Sequence, residues 1–319
     1  MRTAFIQELI RQARIHPRIF LVVGDLGYSV VEPFAEEFPD RFLNAGVAEQ
    51  NMTSLAAGLA SEGWHVFTYS IANFPTLRCL EQIRNDVCYH RLPVTVVAVG
   101  AGLAYGNLGF SHHGIHDIAA LRPMPHLTLL SPADPGETRQ SVRWLAQNPG
   151  PSYLRLGKAG EKTLHDLSEG IMNPLTVRHA APGSPVALAA TGSVLAVALK
   201  AADTLAARGC QIPVYSCACL KPADTTTFAS LWAHAAIVTL EEHVLAGGFG
   251  SLLRELAPDG VRFRSLAVPE TLTSVVGSQE YLRRQAGLTA ETIVETVESL
   301  AFRSPRTGLS DDSQRPNPR

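Results

Sequence analysis

"IFLVVGD", residues 19–25, is a short β-rich run that ends in a turn. It follows "TAFIQELIRQAR", residues 3–14, where apolar residues recur at helical spacing. Together they predict a helix leading into a buried strand. The pattern continues along the chain. "LPVTVVAVGAG" (92–102) and "LTLLSPAD" (127–134) are two more buried-strand candidates, and helices are predicted over 49–62 and 77–89. "PGETRQSVRWLAQN" (135–148) reads as a helix starting after a turn. Such βα alternation means a parallel sheet covered on both faces.

The pattern breaks near residues 158–183. "GKAGEKTLHDLSEGIMNPL" is polar and irregular, and "APGSP" is turn chemistry. A second βα set begins at "VALAATGS". It runs through a helix at 194–208, "IPVYSCAC", "AAIVTLEEH", a helix after "GGFG", "VRFRSLAVPE" and a last helix near 289–302. The expected fold class is α/β with two doubly wound domains. The first, at 1–170, is joined by a linker at 171–183 to a smaller one at 184–302. The stretch 303–319 is polar and contains proline, which predicts a disordered tail.

The bulk numbers agree. A chain of 319 residues favours two domains, and 46% hydrophobic against 18% charged residues permits large cores. The formal net charge of −2 gives no basic field for nucleic acid or an anionic membrane. No apolar run approaches the roughly 18 residues of a membrane span, and no signal peptide opens the chain. Five cysteines without paired spacing suggest reduced thiols. A cytoplasmic location is expected.

Three stretches could carry chemistry. Glu49 is the only ionisable group between Arg41 and Glu62, and it opens an Ala- and Gly-rich helix fit for close packing. As a first-turn acid it favours the helix dipole by about 0.3–1 kcal/mol. A buried carboxylate also needs a partner, and a nitrogen base sharing its proton would serve. "GFSHHGIHD" (109–117) gathers His112, His113, His116 and Asp117 in one loop after a strand. Zinc ligation, surface histidines and an active-site loop are all possible readings. Adjacent histidines on a loop point apart and no cysteine pair accompanies them, which disfavours metal. Strand ends are where open α/β sheets bind ligands. The glycines of "GAGLAYGNLG" (100–109) do not fit a dinucleotide loop, and Gly247, Gly248 and Gly250 read as packing rather than phosphate glycines.

Taken together, "GDLGYS" (24–29), "NAGVAEQNMTSLAAGLASEG" (44–63), "YSIANFPTLRCLEQIRND" (69–86), the stretch from "GFSHHGIHD" to "SPADPGE" (109–137) and "EEHVLAGGFGS" (241–251) resemble, in order and spacing, the C-terminal half of transketolase in its split, two-chain form. The likeness covers nearly all of 1–302. It implies a pyrimidine-binding domain followed by a transketolase C-terminal domain, with thiamine diphosphate as cofactor. In this family the glutamate at Glu49 hydrogen-bonds N1′ of the aminopyrimidine. That contact favours the imino tautomer, whose nitrogen acts as internal base for the thiazolium C2–H.

The resemblance implies further roles. Phe74 matches the aromatic that stacks on the pyrimidine, and Asp25 and Leu26 match residues close to the cofactor. His112 matches the histidine that contacts substrate oxygens and helps proton transfer. Ser29 and Arg2 match groups at the substrate phosphate end. Some positions depart from the family. Asn107 and Leu108 replace an acidic pair that normally reads an acceptor hydroxyl, which implies a different or less hydroxylated partner. Gly100 replaces a phosphate-side histidine, Lys158 replaces a phosphate-side arginine, and His113 stands where glutamine is common.

No metal-diphosphate signature is convincing here: Leu26 interrupts the Gly-Asp-Gly pattern in "GDLGYS". The resemblance therefore implies an N-terminal, diphosphate-binding partner subunit that holds Mg²⁺ or Ca²⁺. It also implies self-association through the C-terminal half into an α₂β₂ assembly, and sugar or keto-acid substrates. The enzyme rivals are the beta subunit of a 2-oxo acid dehydrogenase decarboxylating component, which usually reads "QHSQ" where this chain has "SHHG", and a deoxyxylulose phosphate synthase-like enzyme. The non-enzyme rival is a scaffold subunit of this fold.

Overall fold

The computed structural model describes residues 1–164, 170–172, 174–178 and 183–301. The predicted tail at 303–319 lies outside the described residues.

The first unit is built on strands β1 (Ile19–Val23), β2 (Phe42–Asn44), β3 (His65–Ile71), β4 (Val94–Val99), β5 (Thr128–Leu130) and β6 (Ser152–Leu156). All six pair in parallel, in the order β5-β6-β4-β3-β1-β2. Helices α1 (Arg2–Ile15), α2 (Glu32–Glu37), α3 (Glu49–Ser61), α4 (Leu80–Gln82), α5 (Asp117–Leu121) and α6 (Pro135–Gln147) make the connections. From α4 the chain continues as a π-helical turn, Ile83–Cys88. β1 and β4 are buried along their whole length, as their apolar runs predict for strands covered on both faces; β6 is equally buried but was not predicted, because Ser152 and Arg155 interrupt its apolar residues.

β3 was not legible as such, because the buried polar residues His65, Thr68 and Ser70 interrupt its apolar run. α6 starts where its sequence says. Asp134 caps it by accepting from the Glu137 N–H at 2.8 Å, Pro135 occupies the first turn, and Glu137 reaches back to the Ala133 N–H at 2.6 Å. A cap of this kind contributes about 1 kcal/mol.

The second unit holds β7 (Leu175–Arg178), β8 (Val186–Ala190), β9 (Val214–Ser216), β11 (Ala236–Val244) and β12 (Arg262–Val268), in the order β12-β11-β8-β9-β7. Of these, β7 at the edge is antiparallel and the others pair in parallel. Its helices are α7 (Leu195–Ala207), α8 (Phe249–Leu256), α9 (Gln279–Gln285) and α10 (Ala290–Ala301). The remaining strand, β10 (Cys219–Lys221), leaves this unit and pairs antiparallel with β5, extending the first sheet. One apolar core also runs through both units, joining Ala98, Leu129 and Tyr153 to Ala187, Tyr215 and Phe249.

The glycines of "GGFG" pack tightly, as expected. A Cβ on Gly247 would press on Ala119, and one on Gly250 would press on Ser265 and Thr239. Gly58 differs: it faces open space on α3, so the close approach expected of that helix lies on its alanine face, at Ala56, Ala57 and Ala60. All five cysteines are free thiols. Burial pushes Cys219 up to about 12 and Cys217 well above its ordinary value, which makes both poor nucleophiles. Among the described residues no helix is long and apolar enough to cross a membrane.

Candidate active site

Parallel strands point their C-terminal ends one way, and the residues that follow them line a single edge. Gly24 follows β1, Ala72 follows β3, Gly100 follows β4 and Gly157 follows β6. The residues of interest gather along this edge.

Glu49 is the first residue of α3 and only 2% exposed. A Cβ on Gly24 would touch its Cγ at 3.5 Å, so the side chain lies against the end of β1. One carboxylate oxygen accepts from Arg78 Nη1 at 2.5 Å and the other from Ser70 Oγ at 3.3 Å. The burial that Glu49 required therefore comes with a cation the sequence reading did not name. Arg78 is 45% exposed, so it can swing away into solvent. Phe74 lies in the turn before the short helix Leu77–Cys79 that carries Arg78, so no helical spacing linked the two in the sequence. The Arg78 guanidinium lies 4.7 Å from the Phe74 ring centroid.

Phe74 in turn meets the ring of His112 edge-on, with centroids 5.3 Å apart. Ser111 Oγ and His112 Nδ1 are 3.0 Å apart. With the hydroxyl donating, Nε2 carries the proton and is the donor His112 can offer. Asn73 holds this loop to the end of β3 by donating to the carbonyls of Ser111 (2.9 Å) and His113 (3.0 Å). Glu49, Arg78, Phe74 and His112 thus form one continuous chain of contacts. His113 is buried behind it, with Nε2 3.4 Å from the Gly106 carbonyl, and burial lowers its pKa. Asn107 and Leu108 stand exposed on the turn Gly106–Leu108.

A second group flanks the first. Asp25 is exposed at φ 54°; its N–H donates to Asn44 Oδ1 at 3.1 Å, and its carboxylate accepts from Asn44 Nδ2 at 2.9 Å. Leu26 is half-buried on the core. Ser29, at φ 62°, is exposed, and its N–H donates to Glu32 Oε1 at 2.8 Å. At the β6 end the Arg2 N–H reaches the Lys158 carbonyl at 3.4 Å. The Tyr69 hydroxyl is buried, and that burial raises its pKa against the pull of the Arg2 charge.

Asp117, sequence neighbour of these histidines, turns away from the cleft into the contact between the two units. Tyr153 OH and Arg155 Nε both donate to its Oδ2, at 2.6 and 2.8 Å. Arg155 Nη2 also donates to the carbonyls of Gly114 (2.6 Å) and Glu242 (3.0 Å). From the second unit, Glu242 accepts from the Leu103 N–H at 3.3 Å, from Gln279 at 3.0 Å and from Arg283 Nε. The "EEH" motif therefore braces the loop that carries His112 and Leu108.

The same motif sets a pH dependence. Burial pushes Glu241 up to about 7, although the N–H groups of Gly250 and Phe249 favour its charge. Burial pushes His243 down to about 4. A histidine depressed in the fold stabilises fully above its unfolded value near 6.5 and loses that contribution as pH falls toward 4. A raised glutamate does the opposite: its contribution is present below about 4.5 and is lost as pH rises through 7. The two slopes cancel between roughly pH 4.5 and 6.5. Glu241→Gln is expected to expose the histidine slope, about 1.4 kcal/mol per pH unit at most, as stability lost on acidification below pH 6.5. Urea midpoints across pH 4–7 measure it; a variant as flat as wild type contradicts the assignment.

Among the described residues, no group of three His, Cys, Asp or Glu side chains converges as a metal site. A family model described as "Transketolase, pyrimidine binding domain" matches residues 1–160, and "Transketolase, C-terminal domain" matches 176–293. One subunit of the apulose-4-phosphate transketolase of Actinobacillus succinogenes is 33% identical over 88% of this chain and 91% of its own length. A 1-deoxy-D-xylulose-5-phosphate synthase of Desulforudis audaxviator is 32% identical over 96% of this chain, which spans 49% of that relative. The solved structure of a split gene transketolase, an inactive beta4 tetramer, superposes with a TM-score of 0.80 at 33% identity, covering 93% of this chain and 96% of that one.

Proposed function

This chain belongs to the transketolase family, and from that premise we propose that it is the C-terminal subunit of a thiamine diphosphate-dependent transferase. It moves a two-carbon ketol unit, or a related acyl unit, from a ketose or keto-acid donor to an aldehyde acceptor. It does so only beside a separate diphosphate-binding chain, which holds the diphosphate and its Mg²⁺ or Ca²⁺. Pairing of this chain with a copy of itself through the C-terminal half gives α₂β₂.

The observation that carries this reading is the Glu49 carboxylate. It is buried at the sheet edge and is held by a cation that itself lies over the Phe74 ring and is exposed enough to leave. A neutral heteroaromatic ring with one basic nitrogen fits such a place: Phe74 offers an apolar face and Glu49 a proton-sharing oxygen. Bound thiamine diphosphate would supply the nucleophilic carbon and the electron sink for carbon–carbon cleavage. Glu49 holds the proton shared with the ring nitrogen. His112 donates to the oxygen that becomes negative on the substrate, where a placed donor is worth most. Asn73 and Glu242 keep the His112 loop at that edge. Asp25 and Leu26 line the cofactor side and Asn107 and Leu108 border the acceptor side, while the buried His113 acts on that side from behind, against the Gly106 carbonyl. Ser29, Arg2 and Lys158 serve the far end of the substrate.

The relatives support the division of labour. One is itself a transketolase subunit, and the split gene transketolase of known structure is an inactive tetramer of beta chains. The test is reconstitution. This chain alone is expected to bind thiamine diphosphate poorly and to turn over no ketose. Mixed with a diphosphate-binding chain of the family, it is expected to do both. Transfer by the single chain overturns the partner requirement. Keto-acid decarboxylation without transfer to any aldehyde supports the dehydrogenase reading instead.

A further inference from the structure

The two groups read above as the seat of a heteroaromatic ring, the Glu49 carboxylate and the Phe74 ring, already share an occupant. Arg78 Nη1 donates to Glu49 Oε2 at 2.5 Å, and the guanidinium carbon lies over the Phe74 ring, 4.7 Å from its centroid. A planar cation within about 6 Å of an aromatic face is attracted to it. The guanidinium thus makes the two contacts that an aminopyrimidine would make there: a hydrogen bond to Glu49 and a flat contact with Phe74.

The remaining sides of the carboxylate are closed. A Cβ on Gly24 would meet Glu49 Cγ and Ser70 Oγ at 3.5 Å and Met52 Sδ at 3.6 Å, so β1, β3 and α3 wall it in. Oε1 is kept by Ser70 Oγ at 3.3 Å. Glu49 is 2% exposed while Arg78, its cover, is 45% exposed. Oε2 is therefore the oxygen a ring nitrogen would use, and Arg78 sits on it.

The backbone that carries Arg78 is pinned. The Arg78 N–H donates to the Asn73 carbonyl at 3.4 Å and the Cys79 N–H to the Thr76 carbonyl at 3.0 Å. The buried Cys79 Sγ donates to the Phe74 carbonyl at 3.3 Å. Rotation about the Arg78 side-chain bonds is enough to carry the guanidinium into solvent, while Ser70 keeps the carboxylate oriented. A buried carboxylate left without a partner is costly, so departure of the guanidinium is coupled to arrival of another hydrogen-bonding group.

We propose that Arg78 is a displaceable occupant of the pyrimidine seat: it holds Glu49 paired and oriented until the ring arrives, and the ring binds only as the guanidinium leaves. The proposal rests on the reading of Glu49 and Phe74 as that seat. Arg78 is then a positioning residue acting through Glu49. Its cost is a lower cofactor affinity, reduced by the fraction of molecules in which the guanidinium is away.

The test is calorimetric titration of the complex, reconstituted with a diphosphate-binding chain, with thiamine diphosphate and Mg²⁺. Arg78→Ala, which clears the ring face, is expected to bind at least tenfold more tightly than wild type. Raising NaCl from about 50 to about 500 mM is expected to shrink that ratio threefold or more, because salt screens the half-exposed pair that only wild type has. Salt effects on the diphosphate itself cancel in the ratio, and a merely structural arginine would leave it unmoved. A smaller gain or a loss of affinity in Arg78→Ala, or a ratio indifferent to salt, overturns the proposal and leaves the pyrimidine seat standing. No binding by wild type or variant refutes the seat and the proposal together. Should Arg78→Ala fail to fold, crystals of the wild-type complex grown with and without thiamine diphosphate decide. The guanidinium is expected on Glu49 without cofactor and off it with cofactor; a guanidinium still bonded to Glu49 beside the bound pyrimidine overturns the proposal.

Discussion

Glu49→Gln, in the assembled enzyme, is expected to slow exchange of the thiazolium C2–H and overall turnover by about 10²–10⁴-fold, the range for loss of a placed acid–base group. The substitution keeps the length of the side chain and its acceptor oxygen. It removes the charge that balances Arg78 and the ability to share a proton with a ring nitrogen. On the proposed reading cofactor should still bind, because the ring face of Phe74 and the diphosphate site proposed for the partner are untouched. Proton–deuterium exchange at C2, followed by NMR after acid quench, reads the step directly. A normal exchange rate in Glu49→Gln would mean that the carboxylate is a helix-terminal charge and nothing more. Arg78→Met makes a useful companion: it removes the resting partner of Glu49 but not the proton-sharing oxygen, so it should cost far less in exchange rate.

The second large effect is on stability. Arg155 is 2% exposed and Asp117 is fully buried. Arg155→Met leaves the Asp117 carboxylate with Tyr153 as its remaining donor at Oδ2, while Oδ1 has no hydrogen-bond donor among the described residues even in wild type. It also strips a donor from the carbonyls of Gly114 and Glu242. Breaking one side of a buried pair costs about 3–5 kcal/mol, because a desolvated charge is left behind. Burial works against the Asp117 charge, yet Arg155 and His243 hold its pKa below the ordinary value, so the carboxyl stays ionised at neutral pH. The double variant Asp117→Leu, Arg155→Met should recover much of the loss, since replacing both partners by apolar residues removes the charge altogether. Urea unfolding measures both, and a loss under about 1 kcal/mol in the single variant would show that water reaches the site. A functional echo is also expected. Gly114 pairs with Gly102 across the base of the His112 loop, so loosening Gly114 loosens the loop.

Much of this was legible beforehand because it is local. Apolar runs such as "TVVAV" must be buried on both sides, and alternation with helices then dictates parallel pairing. Asp134 and Pro135 start a helix whatever surrounds them. Glu49 was conspicuous because a lone acid in an apolar segment is costly without a partner. The β3 strand was not legible, because buried threonine and serine look like solvent-facing residues until the sheet around them is known.

By itself the sequence determined the two βα sets, the lone acid and the histidine loop, since periodicity and the cost of burying charge act within a few residues. The tertiary structure alone decided the partners. Arg78 meets Glu49 across 29 residues, Arg155 meets Asp117 across 38, and Glu242 reaches Leu103 across 139. It also decided that β10 crosses to the other unit's sheet, and that Tyr105 fills the room left by Gly100. Pairings and volumes of this kind depend on which strand edges adjoin, and no local pattern encodes that.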